Sequence, residues 1–128
     1  MAAFSNYLEN ALINGTLRAT SYTAPTTVYV ALFTSDPGDD GSGTEVSGNA
    51  YARQSATFAA PSNGAASTNA DVQFPQATGT WGTVTHFAIF DALTTGNMMY
   101  HGALTASKLI EIGDVFKIAS GDLTVTLA

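Results

Sequence analysis

Apolar positions along the chain follow two periods. In FSNYLENALINGTLR, Leu8, Ala11 and Leu12 recur at i, i+3 and i+4, which is one stripe of an α-helix. Ser5 or Asn6 supplies its cap. Asn6 with Glu9 has the capping-box spacing, with Asn in place of the usual Ser or Thr. Asn14-Gly15 ends the helix, Gly15 being suited to the left-handed position past a helix end.

From there the period becomes two. TTVYVALFT (26–34) alternates Val28, Val30 and Leu32 against Tyr29, Ala31 and Phe33. Both sets are apolar, which predicts a central strand covered on both faces. SDPGDDGSGTEVSGN (35–49) is loop, AYARQSATF (50–58) a strand, PSNGAASTN (61–69) a polar connection, and ADVQFP (70–75) a short strand stopped by Pro75. After a turn at Gly82, Val84, His86, Ala88 and Phe90 alternate with Thr85, Phe87 and Ile89. ALTTGN (92–97) is a hairpin loop and MMYHGALT (98–105) the returning strand. KLIEIG (108–113), DVFKIASG (114–121) and DLTVTLA (122–128) complete the set. Short strands separated by turn signals predict a mainly β fold, an antiparallel β-sandwich or jelly-roll-like domain with one short N-terminal helix. Residues 1–15 are expected to pack on a sandwich of 16–128, together one domain.

A stripe as short as Leu8, Ala11 and Leu12 does not hold an isolated helix in water, so it must dock. The favoured surface is the chain's own sheet, over one face of TTVYVALFT. The alternative is a neighbouring subunit, which makes Leu8 and Leu12 candidate interface residues.

Composition narrows the functional classes. The 128 residues contain no cysteine, so disulfides, thiolate metal sites and cysteine nucleophiles are excluded. Ten acidic residues against four basic give a net charge of −6, which repels phosphate backbones and anionic membranes. Nucleic acid and membrane are therefore not expected partners. No apolar run approaches the ~20 residues that span a bilayer, and MAAFSNYLEN lacks the basic and apolar regions of a secretory leader. Charged residues are only 11% of the chain, against ~25% in ordinary domains. A surface so poor in charge suits permanent packing against other subunits.

Candidate chemistry is sparse. His86 and His101 are the two histidines, on strands expected to pair, and Asp91 follows the first of them. No nucleophile motif accompanies them, and two histidines fall short of a zinc set. His86 is expected to hold the fold or an interface, and Asp91 to cap the turn. The acidic loop 36–45 carries Asp36, Asp39, Asp40 and Glu45 but fails the calcium-loop pattern at Gly38 and Ser47. A solvated acidic turn is the expectation, with an adventitious cation as the alternative. No catalytic residue, metal or cofactor is expected.

The order of NYLENALINGTLRATSYTAPTTVYVALFTSDPGDDGSGTEVSGNAYARQSATF, WGTVTHFAIFDALTTGNMMYHGAL and SGDLTVTLA resembles a group of small virion proteins of tailed bacteriophages, known as tail fibre proteins. YVALFTSDP, GTEVSG-x-YARQ and WGTVTHFAIFDA are its most specific parts. The resemblance covers nearly the whole chain and implies a structural, non-enzymatic role in the virion. Small β-rich phage proteins also serve as capsid cement, sitting as trimers on the major capsid lattice. The leading expectation is accordingly a cement or decoration protein that stabilises the shell as a symmetric homo-oligomer, a trimer, bound to the major capsid protein. The alternative is a tail-fibre or tail-adaptor component, bound to tail proteins and involved in host attachment. Sugar binding would call for exposed aromatics on a loop, and Tyr51 and Trp81 are the candidates. With His86 they complete the expected interface residues.

Overall fold

A computed structural model describes residues 2–127. Its backbone is a long antiparallel hairpin, β6 (Gly82–Phe90) and β7 (Met98–Ile110). Alternation in WGTVTHFAIFDA sets β6, and the loop between them turns at Gly96, φ 74°. Around the hairpin, β1 (Ala3–Phe4), β2 (Val28–Phe33) and β3 (Gln54–Ala56) build a five-stranded sheet in the order β1-β7-β6-β2-β3. Two antiparallel ribbons complete the β structure: β4 (Ala65–Ser67) with β9 (Thr124–Thr126), and β5 (Val72–Gln73) with β8 (Lys117–Ile118). The fold is mainly β, with antiparallel sheets and one helix, consistent with the expected sandwich.

The registers Val30↔Ile89 and Leu32↔Phe87 place these residues on one face of the sheet. There they join Val72, Phe74, Phe116, Leu123 and Val125 from the ribbon side in the main core. The opposite face carries Ala31, Phe33, Ala88, Phe90 and Met98, a second and smaller cluster. The doubly apolar pattern of TTVYVALFT therefore has its physical cause: Val30 to Phe33 are all buried, two on each face.

Several boundaries differ from the sequence reading. Helix α1 (Asn6–Leu17) is capped by the Ser5 hydroxyl, which accepts a hydrogen bond from Leu8 N at 3.1 Å. It runs past Gly15, and the left-handed residue beyond its end is Ala19, φ 53°. Leu8 is buried and Leu12 half-buried, but the helix lies against β7 and β1, not over β2. The reason is the short strand β1, which the sequence reading did not anticipate. It pairs with β7 through Ala3↔His101 and Phe4↔Tyr100, so the helix starts at that edge.

β7 continues to Ile110, whose carbonyl accepts Trp81 N at 2.9 Å; KLIEIG is thus its end and the turn that follows. The expected strand 114–121 shrinks to Lys117–Ile118. The expected strand 50–58 shrinks to Gln54–Ala56, because Gly48, Asn49 and Ala50 all have positive φ (76°, 52° and 70°). The polar connection 61–69 contains a tight turn at Asn63-Gly64 and the strand β4.

Candidate functional site

Two loops meet beside the smaller cluster, and one arginine joins them. Segment 45–53 leaves the acidic loop and leads into β3; segment 91–97 is the tip of the β6–β7 hairpin. The Arg53 side chain is only 8% exposed. Its Nε donates to Glu45 Oε2 and its Nη2 to Glu45 Oε1, both at 2.9 Å. Its Nη1 donates to the carbonyls of Ala92 and Thr95 at 3.0 and 2.7 Å. The guanidinium lies 3.7 Å from the centre of the Phe90 ring. Planar, forked and weakly hydrated, a guanidinium suits burial of this kind in a way that an ammonium does not.

Tyr51 extends the network inward. Its hydroxyl donates to Glu45 Oε2 at 2.6 Å and accepts Leu32 N at 3.0 Å. Burial first, then the bond to Glu45, pushes this phenol far above the ordinary tyrosine range. The ring meets Trp81 edge-on at 5.4 Å and stacks on Phe74 at 6.1 Å. Trp81 Nε1 donates to the carbonyl of Asn49 at 2.9 Å, and Asn49 Nδ2 donates to the carbonyl of Thr80 at 3.0 Å. These bonds hold the left-handed run 48–50 in place. A left-handed non-glycine residue costs on the order of 1–2 kcal/mol, so the run persists because its surroundings dictate it. Thr95 is a parallel case: it is β-branched at φ 52°, and Arg53 grips its carbonyl.

Between the two loops lies an open cleft of about 350 Å³, bordered by Glu45, Ser47, Tyr51, Arg53, Leu93 and Thr95. Its charged groups, Arg53 and Glu45, are engaged with each other, and the arrangement acts as a brace holding the hairpin tip to the sheet.

Of the residues singled out in the sequence, Tyr51, Trp81 and Glu45 meet at this brace, while Leu8, Leu12 and His86 take no part in it. Leu8 (3% exposed) and Trp81 (6%) are buried in the chain's own core, and Tyr51 packs against that core. Trp81 is therefore closed to a sugar, and the half-buried Tyr51 ring is held against Phe74 and Trp81. Leu12 is half-buried against the same core. His86 is half-buried, with Nδ1 2.8 Å from the Thr85 hydroxyl. Asp91 accepts from Asn97 N at 2.7 Å and from Asn97 Nδ2 at 3.0 Å, capping the hairpin loop.

The acidic loop disperses its carboxylates. Asp36 accepts from Gly38 N and Asp40 from Ser42 N. Hydrogen bonds from Ser42, side chain first, hold Asp40 below the usual carboxylate range. Glu45 belongs to Arg53, and Asp39 lies 2.7 Å from His101 Nε2. Among the described residues, no three His, Asp or Glu side chains are placed to hold a metal ion together. No described helix is long and apolar enough to cross a membrane.

Sequence reasoning passed over Arg53 and the pairings Glu45–Arg53 and Asp39–His101. One signal was present. Arg53 is one of only four basic residues, set in the otherwise uncharged YARQ, where a lone charge calls for a partner.

Comparison with curated proteins gives no match. A protein-family model does match, over residues 3–126, nearly the whole described chain. The chain thus belongs to the Gp80 family, podophage GP4 fiber I protein gp80, and is a structural protein of the phage virion.

Proposed function

We propose that this protein is a fibre component of a podophage virion, working as a rigid β module without catalysis. The observation that carries this reading is the family match over residues 3–126. It favours the fibre role over capsid cement, the leading expectation from sequence. The braced geometry is in keeping with it. Arg53 and Tyr51 commit their polar groups to holding two loops on a sheet, which is what a mechanical element needs. Because Tyr51 and Trp81 are turned inward, the module's role is to build and connect the fibre, with neighbouring copies and tail proteins as partners. Immunogold labelling of intact virions tests the location. Gold on the fibres is the expected result; gold spread evenly over the head refutes it.

A further inference from the structure

The chain has three places where Asn or Asp precedes glycine: Asn14-Gly15, Asp40-Gly41 and Asn63-Gly64. Glycine has no Cβ to shield its backbone nitrogen from the side-chain carbonyl carbon of the residue before it. The fold treats the three pairs differently. Gly15 lies inside α1, where N–H groups belong to the helical ladder, and Asn14 Oδ1 accepts from Arg18 Nη1 at 3.3 Å. Asp40 Oδ1 accepts from Ser42 N at 3.1 Å, and Gly41 N donates to the carbonyl of Gly38 at 3.4 Å. Asn63 and Gly64 are both exposed, and among the described residues neither the Asn63 side chain nor Gly64 N has a hydrogen-bond partner.

The turn at this third pair demands these two residues. Ser62 N donates to the Ala65 carbonyl at 2.9 Å and Ala65 N to the Ser62 carbonyl at 3.0 Å, around a loop whose φ angles are 52° and 77°. Two positive φ in succession select Asn-Gly. Gly64 is fixed a second time. A Cβ there would stand 2.8 Å from the Leu127 carbonyl oxygen, and Leu127 N donates to the Gly64 carbonyl at 2.7 Å. Strand β4 begins at Ala65 and pairs with β9 through Ala65↔Thr126. The turn therefore holds the C-terminal segment, and the same geometry sets a reactive pair in water.

We propose that Asn63 is a site of spontaneous deamidation, and that its isoaspartyl product releases the C-terminal segment from the β4 turn. Gly64 N attacks Asn63 Cγ. The N–Cγ bond forms, the Cγ–Nδ2 bond breaks, and Nδ2 leaves as ammonia with the proton of Gly64 N. Water then opens the cyclic imide. Opening at Cγ leaves aspartate. Opening at the backbone carbonyl carbon leaves isoaspartate, whose main chain runs through Cβ and Cγ and is longer by a carbon. Water is the only co-reactant. The lengthened turn no longer matches Ser62 to Ala65, and the Gly64 carbonyl moves away from Leu127 N.

Peptide mapping of the full chain after incubation in mildly alkaline buffer supplies the test, with electron-transfer fragmentation to tell aspartate from isoaspartate. In the folded protein Asn63 should convert roughly tenfold or more faster than Asn14, because an amide inside a helix reacts only after local opening. In denaturant the two should convert at similar rates, both being Asn-Gly. Hydrogen exchange at the N–H groups of Ala65 and Leu127 should quicken in the isoaspartyl fraction isolated by chromatography. Asn63→Asp carries the same added charge without the extra carbon and tolerates the left-handed position, so its exchange should stay near wild type. Equal rates at Asn63 and Asn14 in the folded chain overturn the site. A preference for Asn63 that persists in denaturant belongs to the flanking sequence and overturns its origin in the fold. Unchanged exchange in the isoaspartyl fraction, or equal quickening in Asn63→Asp, overturns release by the lengthened turn.

Discussion

Arg53 and Glu45 meet fork to fork, Nε to Oε2 and Nη2 to Oε1 at 2.9 Å each, and the remaining nitrogen of the guanidinium fastens the hairpin tip at Ala92 and Thr95. Breaking a buried pair by removing one partner costs about 3–5 kcal/mol, because the other charge is left uncompensated. Glu45 is 25% exposed, which moderates the loss when Arg53 is the residue removed. Arg53→Ala should therefore lower stability by about 3 kcal/mol in chemical denaturation. Arg53→Lys should recover little of it, having neither the fork nor the flat face over Phe90. A loss below about 1 kcal/mol, the value of an exposed ion pair, would contradict the brace.

Tyr51→Phe removes the hydroxyl that links Leu32 N to Glu45. A buried N–H left without a partner costs about 1–3 kcal/mol, and denaturation should show a loss in that range at neutral pH. The same residue sets an alkaline limit. Its folded-state pKa lies above the unfolded value, so the unfolded chain releases the proton first. Stability is full below pH ~10, the ordinary tyrosine pKa, and declines as pH rises above it. Tyr22 and Tyr100, also raised by burial, add to the decline in the wild type. Denaturation curves between neutral and strongly alkaline pH should show a shallower decline for Tyr51→Phe than for the wild type.

The two histidines should behave differently. His101 is buried and fastens the acidic loop through Asp39, so His101→Gln should lower the melting temperature by a few degrees, as the loss of ~1 kcal/mol does. Hydrogen exchange should quicken at the backbone N–H groups of 38–41. His86→Gln, whose partner is the neighbouring Thr85 hydroxyl, should leave both readouts near wild type. Equal effects at the two positions would contradict the anchoring role of His101.

Leu8 and Leu12 separate in the same way. Leu8 is 3% exposed and belongs to the main core. Leu8→Ala should cost about 2–5 kcal/mol, the range for a core leucine, and Leu12→Ala distinctly less. Thermal unfolding of the two single variants checks the order. A wild-type melting curve for Leu8→Ala would contradict docking of the helix on its own sheet.

Local pattern was sufficient for part of this fold and not for its brace. The β6–β7 hairpin was legible because Val84 to Phe90 alternate and Gly96-Asn97 marks the return. The helix was legible from the spacing of Leu8, Ala11 and Leu12, but its docking site was not. Docking depends on Ala3 and Phe4 pairing with β7, and two residues carry no period. Gly15 misled for a related reason: a glycine permits a helix end without imposing one, and the chain turns at Ala19. The Asn63-Gly64 turn was written in the sequence, yet Ala65, Ala66 and Ser67 lack the β-branched alternation that announces a strand. Arg53 reaches Ala92 and Thr95 across about 40 residues, and Asp39 reaches His101 across 62. Contacts made between distant segments leave no local trace beyond a charge in an uncharged setting.

The copy number per virion, counted against the major capsid protein by quantitative mass spectrometry of purified particles, tests the fibre assignment most directly. A fibre component should be present at a number set by the fibres, far below that of the capsid subunits. A number matching the capsid subunits, or a simple fraction of them repeated over the whole shell, would contradict the assignment and make the protein a component of the head.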